Sequence, residues 1–329
     1  MGTTAGLPID VDHVIQIELP TPFPVGPVNV YLIQAEKLTL VDTGPNTDQN
    51  WQLLNQALAK HGFSIRDIEQ IVLTHHHVDH MGMLHRILQV HPVPVYGHPN
   101  CRPWLRREPD FFAWHDDFFM SFYREMNVPE ALWHHFKGFL QQMEKLAGKT
   151  DLTGTLQEGE PIPGMSEWRV VETKGHAQSH IALYRERDGL LVAGDHIIRH
   201  ISSNAIIEPP LTPGAERAKP LLQYMDNLRK CAAMPVTLTL SGHGEAVDDL
   251  PALVDARLAK VEERAEKIKM LLAGGATTAF EVVQALFPGK YKQELGLTVS
   301  EVVGHLDVLL ERKEIVAEKK GMCITYRPV

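Results

Sequence analysis

The sequence predicts an α/β protein, and three observations carry that expectation. Short apolar runs rich in β-branched residues alternate with amphipathic stretches of helical spacing. Gly and Pro punctuation separates the first three of these runs. A dense group of imidazoles and a carboxylate, Thr74-His75-His76-His77-Val78-Asp79-His80, directly follows the apolar triplet Ile71-Val72-Leu73. That pattern reads as a buried strand delivering metal ligands at its C-terminal end.

Taken in order, 14–19, 28–33 and 38–41 read as three strands of a meander. Residues 48–61 have helical spacing, with Trp51, Leu54 and Leu58 on one face and Gly62 as the stop. Strand 68–73 returns to the sheet, 81–90 can form a helix, and 93–97 a short strand. Residues 100–149 break the alternation and hold much of the chain's aromatic content. Two helices are expected there, 111–126 and 132–146, divided near Pro129. Strands are expected at 168–172, 181–186 and 190–193, the last two joined by an Arg187-Asp188-Gly189 turn. A Pro-rich loop at 201–219, a helix at 221–231, a strand ending at Leu240 and a charged helix at 251–272 follow. The C-terminal order of helix (280–286), helix (300–310) and hairpin (315–317 with 323–326) is that of a winged helix. We therefore expect two units, 1–275 with its insertion at 100–149, and 276–329.

Bulk properties narrow the classes. At 329 residues the chain can bury a large core, and no apolar run is long enough to span a bilayer. Its formal charge of −9 opposes casual binding to polyanions. Cys101, Cys231 and Cys323 are few, odd in number and far apart, which argues against a disulfide framework. The start lacks a basic and apolar leader, so a cytoplasmic location is expected. In 276–329 seven basic residues balance seven acidic ones, so nucleic acid is not the favoured partner, and packing or homodimer formation suits the segment better.

The chemistry lies in the donors. His75, His77, Asp79 and His80 fall within six positions, enough to surround one or two divalent cations. His75-x-His77-x-Asp79-His80 resembles the H-x-H-x-D-H signature of the metallo-β-lactamase-fold hydrolases. That resemblance extends to the Gly-His turn at His176, to Asp195 after the run Leu190-Leu191-Val192-Ala193-Gly194, and to His243 in Ser241-Gly242-His243. It implies a four-layer αββα sandwich, here with a helical insertion and the winged-helix-like C-terminal segment. It further implies one ion on His75, His77 and His176, a second on Asp79, His80 and His243, and Asp195 bridging them. Asp42, in Val41-Asp42-Thr43-Gly44, resembles the family's supporting aspartate, and His180 occupies a position that is often a supporting histidine. His196 could line the pocket or serve only the loop.

The resemblance implies a dinuclear hydrolase, most readily a zinc enzyme, with iron or manganese compatible with the same donors. A metal-bridging hydroxide would attack an activated carbonyl, with Asp79 orienting the water and accepting its proton. The expected substrate is a small, partly apolar thioester, ester or lactone. Phosphodiester or RNA cleavage is the alternative, since similar C-terminal extensions occur in endoribonuclease-like members, and a non-catalytic binding role ranks below both. The aromatic insertion is either a lid over the metal mouth or part of the core, and His115, His134 and His135 on it could contact substrate.

Overall fold

The computed structural model describes residues 11, 13–133 and 143–329. Its first sheet has six strands in spatial order β1 (Val14–Leu19), β2 (Val28–Gln34), β3 (Leu38–Val41), β4 (Gln70–Val72), β5 (Val95–Gly97) and β6 (Gly154–Thr155). Pairing is antiparallel through β3 and parallel from β3 to β6. The second sheet runs β11 (Leu238–Ser241), β10 (Leu190–Gly194), β9 (Ile181–Arg185), β8 (Met165–Glu172) and β7 (Pro161–Ile162), with only β10 and β11 parallel. The two-residue strands β6 and β7 escape the sequence pattern because they are too short to show a period.

The alternation of side chains makes the layers. Ile15, Ile17, Val30, Leu32, Leu40 and Ile71 face the helices Asp48–Lys60 and Leu84–Val90 on one outer side. Their neighbours Val14, Tyr31, Ile33, Val41 and Val72 point the other way and meet Trp168, Val170, Ile181, Leu183, Leu190 and Val192 of the second sheet. Ala182, Tyr184, Leu191 and Ala193 then cover the far side, against Leu221, Tyr224 and Leu228 of helix Pro220–Ala233 and Val254 and Val261 of helix Leu250–Ala273. Helix, sheet, sheet, helix is the four-layer sandwich that the resemblance implied.

The helix expected over 81–90 begins only at Leu84, behind a separate turn of helix at Val78–Met81. The carbonyl of His80, which would accept a helical hydrogen bond from Leu84, is instead taken by the Thr43 N–H (2.6 Å) and the Thr43 hydroxyl (3.0 Å). A long-range partner thus outcompetes the local ladder and ends the turn.

The insertion contains the helix Pro109–Glu125, close to the expected 111–126. The second helix, expected at 132–146, falls largely outside the described residues, as do His134 and His135. The first helix joins two cores. Phe111 packs with Trp104 and Leu105 in the first outer core. Phe122, Tyr123 and Met126 pack with Ala265, Ile268, Phe280, Val299, Val302 and Tyr326. The C-terminal helices Ala279–Leu286 and Leu295–Glu311 precede the antiparallel hairpin β12 (Ile315–Lys320) and β13 (Cys323–Pro328), the expected order of elements. Among the described residues no helix is long and apolar enough to cross a membrane.

Candidate metal centre

The parallel pairs β3/β4 and β10/β11 point their C-terminal ends toward one edge, and the polar residues that follow those ends meet there. Asp42 follows β3, Thr74 and His75 follow β4, Asp195 follows β10 and His243 follows β11. The two sheets are tied at this edge by Asn29, whose Nδ2 donates to the carbonyls of Ser241 (3.0 Å) and Gly244 (2.9 Å). The Tyr31 hydroxyl donates to Ser241 O at 2.6 Å. Gly242 is required here, because a Cβ at that position would collide with Asp195 Oδ1.

Among the described residues, three of the four groups of candidate donors draw only on the residues expected from the sequence. The Nδ1 of His77 lies 2.9 Å from the Nε2 of His75 and 2.9 Å from the Nε2 of His176. Asp79, His80 and His243 bring one ligand atom each to within 4.8 Å of one another, as do His75, His80 and Asp195. Asp195 stands between them: its Oδ1 is 3.2 Å from His80 Nε2, and its Oδ2 is 3.5 Å from His176 Nε2 and 3.4 Å from His243 Nε2. All seven donors expected from the sequence therefore converge on one buried spot.

The opposite ring nitrogens are held from behind. His80 Nδ1 donates to Asp42 Oδ2 (2.8 Å) and His243 Nδ1 to the carbonyl of Pro27 (2.8 Å). His176 Nδ1 donates to the carbonyl of Asn204 (2.9 Å), with Ser203 Oγ at 2.8 Å. The Thr74 hydroxyl donates to Asp42 Oδ2 (2.7 Å), which leaves its oxygen to accept from His75 Nδ1 (3.0 Å). In each ring the outward proton is committed, so the Nε2 facing the cluster is the atom left to bind a cation. Asp42 also accepts the Thr74 N–H at 2.8 Å, and its φ of +60° marks a backbone turned to bring one carboxylate to three donors. His180 does not face the cluster as a donor. Its Nε2 accepts the N–H of Asp195 (3.0 Å) and its Nδ1 meets the Thr173 hydroxyl (2.7 Å).

Charge follows the same division. Burial, then neighbouring imidazoles, holds His75 and His77 well below the ordinary histidine range, and burial also lowers His176. Burial opposes charge on His80 as well, but Asp195, Asp42 and Asp79 outweigh it and raise that ring well above its usual value. The same contest, with Asp195 the leading opponent of burial, lifts His243 to about 10. Burial would raise Asp195, yet His243 and His80 pull it well below the carboxylate range. The carboxylates thus demand positive charge here, and a divalent cation competes with protons for the same nitrogens.

The donor set passes a direct test for metal. His80 Nε2, His243 Nε2 and Asp195 Oδ1 are buried side-chain atoms without a hydrogen-bond partner, although they crowd one another. Orphaned buried polar atoms are costly unless something else satisfies them. Borderline donors of this kind, rich in imidazole and completed by carboxylates, suit zinc or a similar divalent ion.

Three features were not foreseen. Thr74 links Asp42 to His75, and its signal was only its place before the first histidine. Asn204 acts through its carbonyl, for which a sequence offers no signal. The third is a buried group beside the cluster, where His76 stacks on the Trp104 ring (centroids 4.2 Å apart, 9° between planes) and its Nε2 lies 3.9 Å from Glu208 Oε1. Of the remaining histidines, His115 is buried among Trp104, Phe112 and Phe119, and His196 is fully buried edge-on to Tyr224, so both are packed inside.

An α/β sandwich with clustered imidazoles at its strand ends defines a metal-binding class of protein. A family model for the metallo-β-lactamase superfamily matches residues 23–243, and the chain belongs to that superfamily. A Bacillus subtilis protein named probable metallo-hydrolase YqjP is 38% identical, over 96% of this chain and 98% of its own. The crystal structure of a metallo-β-lactamase family protein from Thermus thermophilus matches with a TM-score of 0.80 at 25% identity, covering 96% of this chain and 99% of that one. At greater distance, an Aspergillus fumigatus atrochrysone carboxyl ACP thioesterase is 22% identical over 79% of this chain and 68% of its own. In class, the chain is a metal-dependent hydrolase.

Proposed function

We propose that the chain is a dinuclear hydrolase that cleaves an ester-like bond, a thioester, ester or lactone, in a small and partly apolar substrate. The observation that carries this reading is the place of Asp195, with carboxylate oxygens 3.2 to 3.5 Å from His80, His176 and His243. His75, His77 and His176 would hold one ion, Asp79, His80 and His243 the other, and Asp195 would reach both. Zinc suits the imidazoles best, with iron and manganese compatible. When bound, such ions supply Lewis acidity, which brings the pKa of a water toward neutrality and polarises a carbonyl.

The chain's own residues do the positioning. Asp79, with Oδ2 3.5 Å from His243 Nε2, would orient the attacking water and accept its proton. Asp42 and Thr74 fix His80 and His75, and His180 fixes Asp195 through its backbone N–H. The thioesterase among the relatives supports acyl transfer to water.

The test is elemental analysis of the purified protein together with a panel of an acyl thioester, a lactone, a phosphodiester and an RNA oligomer. Two ions per chain, with thioester or lactone turnover lost in His80→Ala, is the expected result. Turnover of only the phosphodiester or RNA would replace the substrate class, and a chain that binds no metal would overturn the reading altogether.

A further inference from the structure

His176 depends on a segment that has no ladder of its own. The carbonyl of Asn204 and the hydroxyl of Ser203 hold its Nδ1, yet residues 202–210 form neither helix nor strand. An irregular backbone by itself fixes a ring poorly, so its outside anchors decide how well the ring is aimed.

Those anchors converge on one C-terminal helix, Leu295–Glu311. Asn204 Nδ2 donates to the carbonyl of Leu297 (3.2 Å), and the Ile207 N–H donates to Ser300 Oγ (3.2 Å). The Ile207 side chain is buried in the core that contains Val299, Val302 and Val303 of the same helix. Further along, Arg217 forks onto both oxygens of Asp307 at 2.7 Å, with Asp307 almost wholly buried, and Lys219 reaches Glu311 at 3.0 Å. From the other side, Trp114 of the insertion donates to the carbonyl of Pro210 at 2.8 Å.

We propose that helix Leu295–Glu311 is a splint for the metal centre: through residues 203–207 it sets the orientation of His176, with Ser300 and Asn204 as positioning residues. The inference rests on the reading above, in which His176 holds an ion with His75 and His77. It gives the C-terminal segment a specific task, since His176, the donor it braces, is separated from it by more than a hundred residues of chain. His80 and His243 are oriented by Asp42 and Pro27 instead and owe nothing to this helix.

The experiment measures zinc release from the loaded full-length protein to a chromogenic chelator, in wild type, His176→Ala, Ser300→Ala, Asn204→Ala and Ser300→Thr. In wild type two release phases are expected, and His176→Ala identifies which belongs to its ion. Ser300→Ala and Asn204→Ala should speed that phase about 10-fold, the low end of what outer-shell partners contribute to metal affinity, and leave the other unchanged. Ser300→Thr, which keeps the hydroxyl, should restore it. Release of both ions at wild-type rates, or equal acceleration of both phases, overturns the splint. Should Ser300→Ala fail to fold, Asn204→Ala at its half-buried position decides alone. A His176→Ala protein that releases both ions as wild type does would instead defeat the metal reading, and the splint with it.

Discussion

The strand-end cluster and the core shared by the insertion with the C-terminal helices are both buried, yet they are held by different forces. At the cluster nearly every contact is directional: Asp42 serves Thr74 and His80, Pro27 serves His243, and Asn204 serves His176. In the other region Phe122, Tyr123, Phe280, Val302 and Leu306 meet as apolar surfaces with few polar partners. Directional bonds define where a donor points, whereas apolar burial supplies most of the free energy without fixing an angle. The difference teaches that stability and metal geometry should be separable by mutation except where residues 203–207 rest on helix Leu295–Glu311.

The largest expected effect tests the apolar side. Phe280 is buried and meets Tyr291 edge-on, far along the chain from any of the seven donors. Phe280→Ala should cost about 3–5 kcal/mol of stability, from lost burial plus the cavity left behind. Urea unfolding would read this, and elemental analysis of the folded fraction should still find the wild-type metal content. Loss of metal from protein that remains folded would show that the two regions are not separable.

Asp42→Asn attacks the directional side with the opposite signature. Asn tolerates the positive φ at this position, so the backbone need not move. What is lost is the charge facing His80 and one of the acceptors for Thr74. Metal affinity or activity should fall about 10- to 100-fold, as for other outer-shell partners, with little change in the urea midpoint. A competition titration against a chelator measures the first quantity. An unchanged affinity would mean that Asp42 serves the fold rather than the ion.

The same contrast explains what could be seen in the sequence. The first donors were legible because they crowd the end of an apolar strand, His75 following Leu73 and Thr74, whereas His176, Asp195 and His243 were placed by the resemblance. The layers were implied by the resemblance rather than by a period, because β2, β9 and β10 are buried on both faces and their apolar runs show no alternation. Long-range polar capture was not legible. Thr43 ends the helix at Met81 by taking the His80 carbonyl, and Leu297 and Ser300 hold a loop roughly ninety residues away, pairings without local pattern. The insertion was ambiguous between lid and core because a single helix serves two cores, Phe111 in one and Phe122 in the other.

The last effect is one of pH and falls where the two regions meet. Glu208 ends the segment that braces His176, and burial pushes its carboxyl up to about 8, although the Gln178 N–H at 3.0 Å favours the ionised form. In the unfolded chain the group titrates near an ordinary 4.5, so between those values the folded protein keeps a proton that the unfolded chain has released. Stability contributed by the protonated group is complete below about 4.5 and is lost as the pH rises through about 8. Glu208→Gln keeps an acceptor for Gln178 and removes the titration. The variant should match wild type at the acid end and exceed it above pH 8, the gap opening across that window. Urea midpoints of both proteins across this range measure the gap. Parallel curves would mean that the loop opens enough to hydrate the carboxylate, which would also weaken the case that residues 203–208 are held firmly against the C-terminal helix.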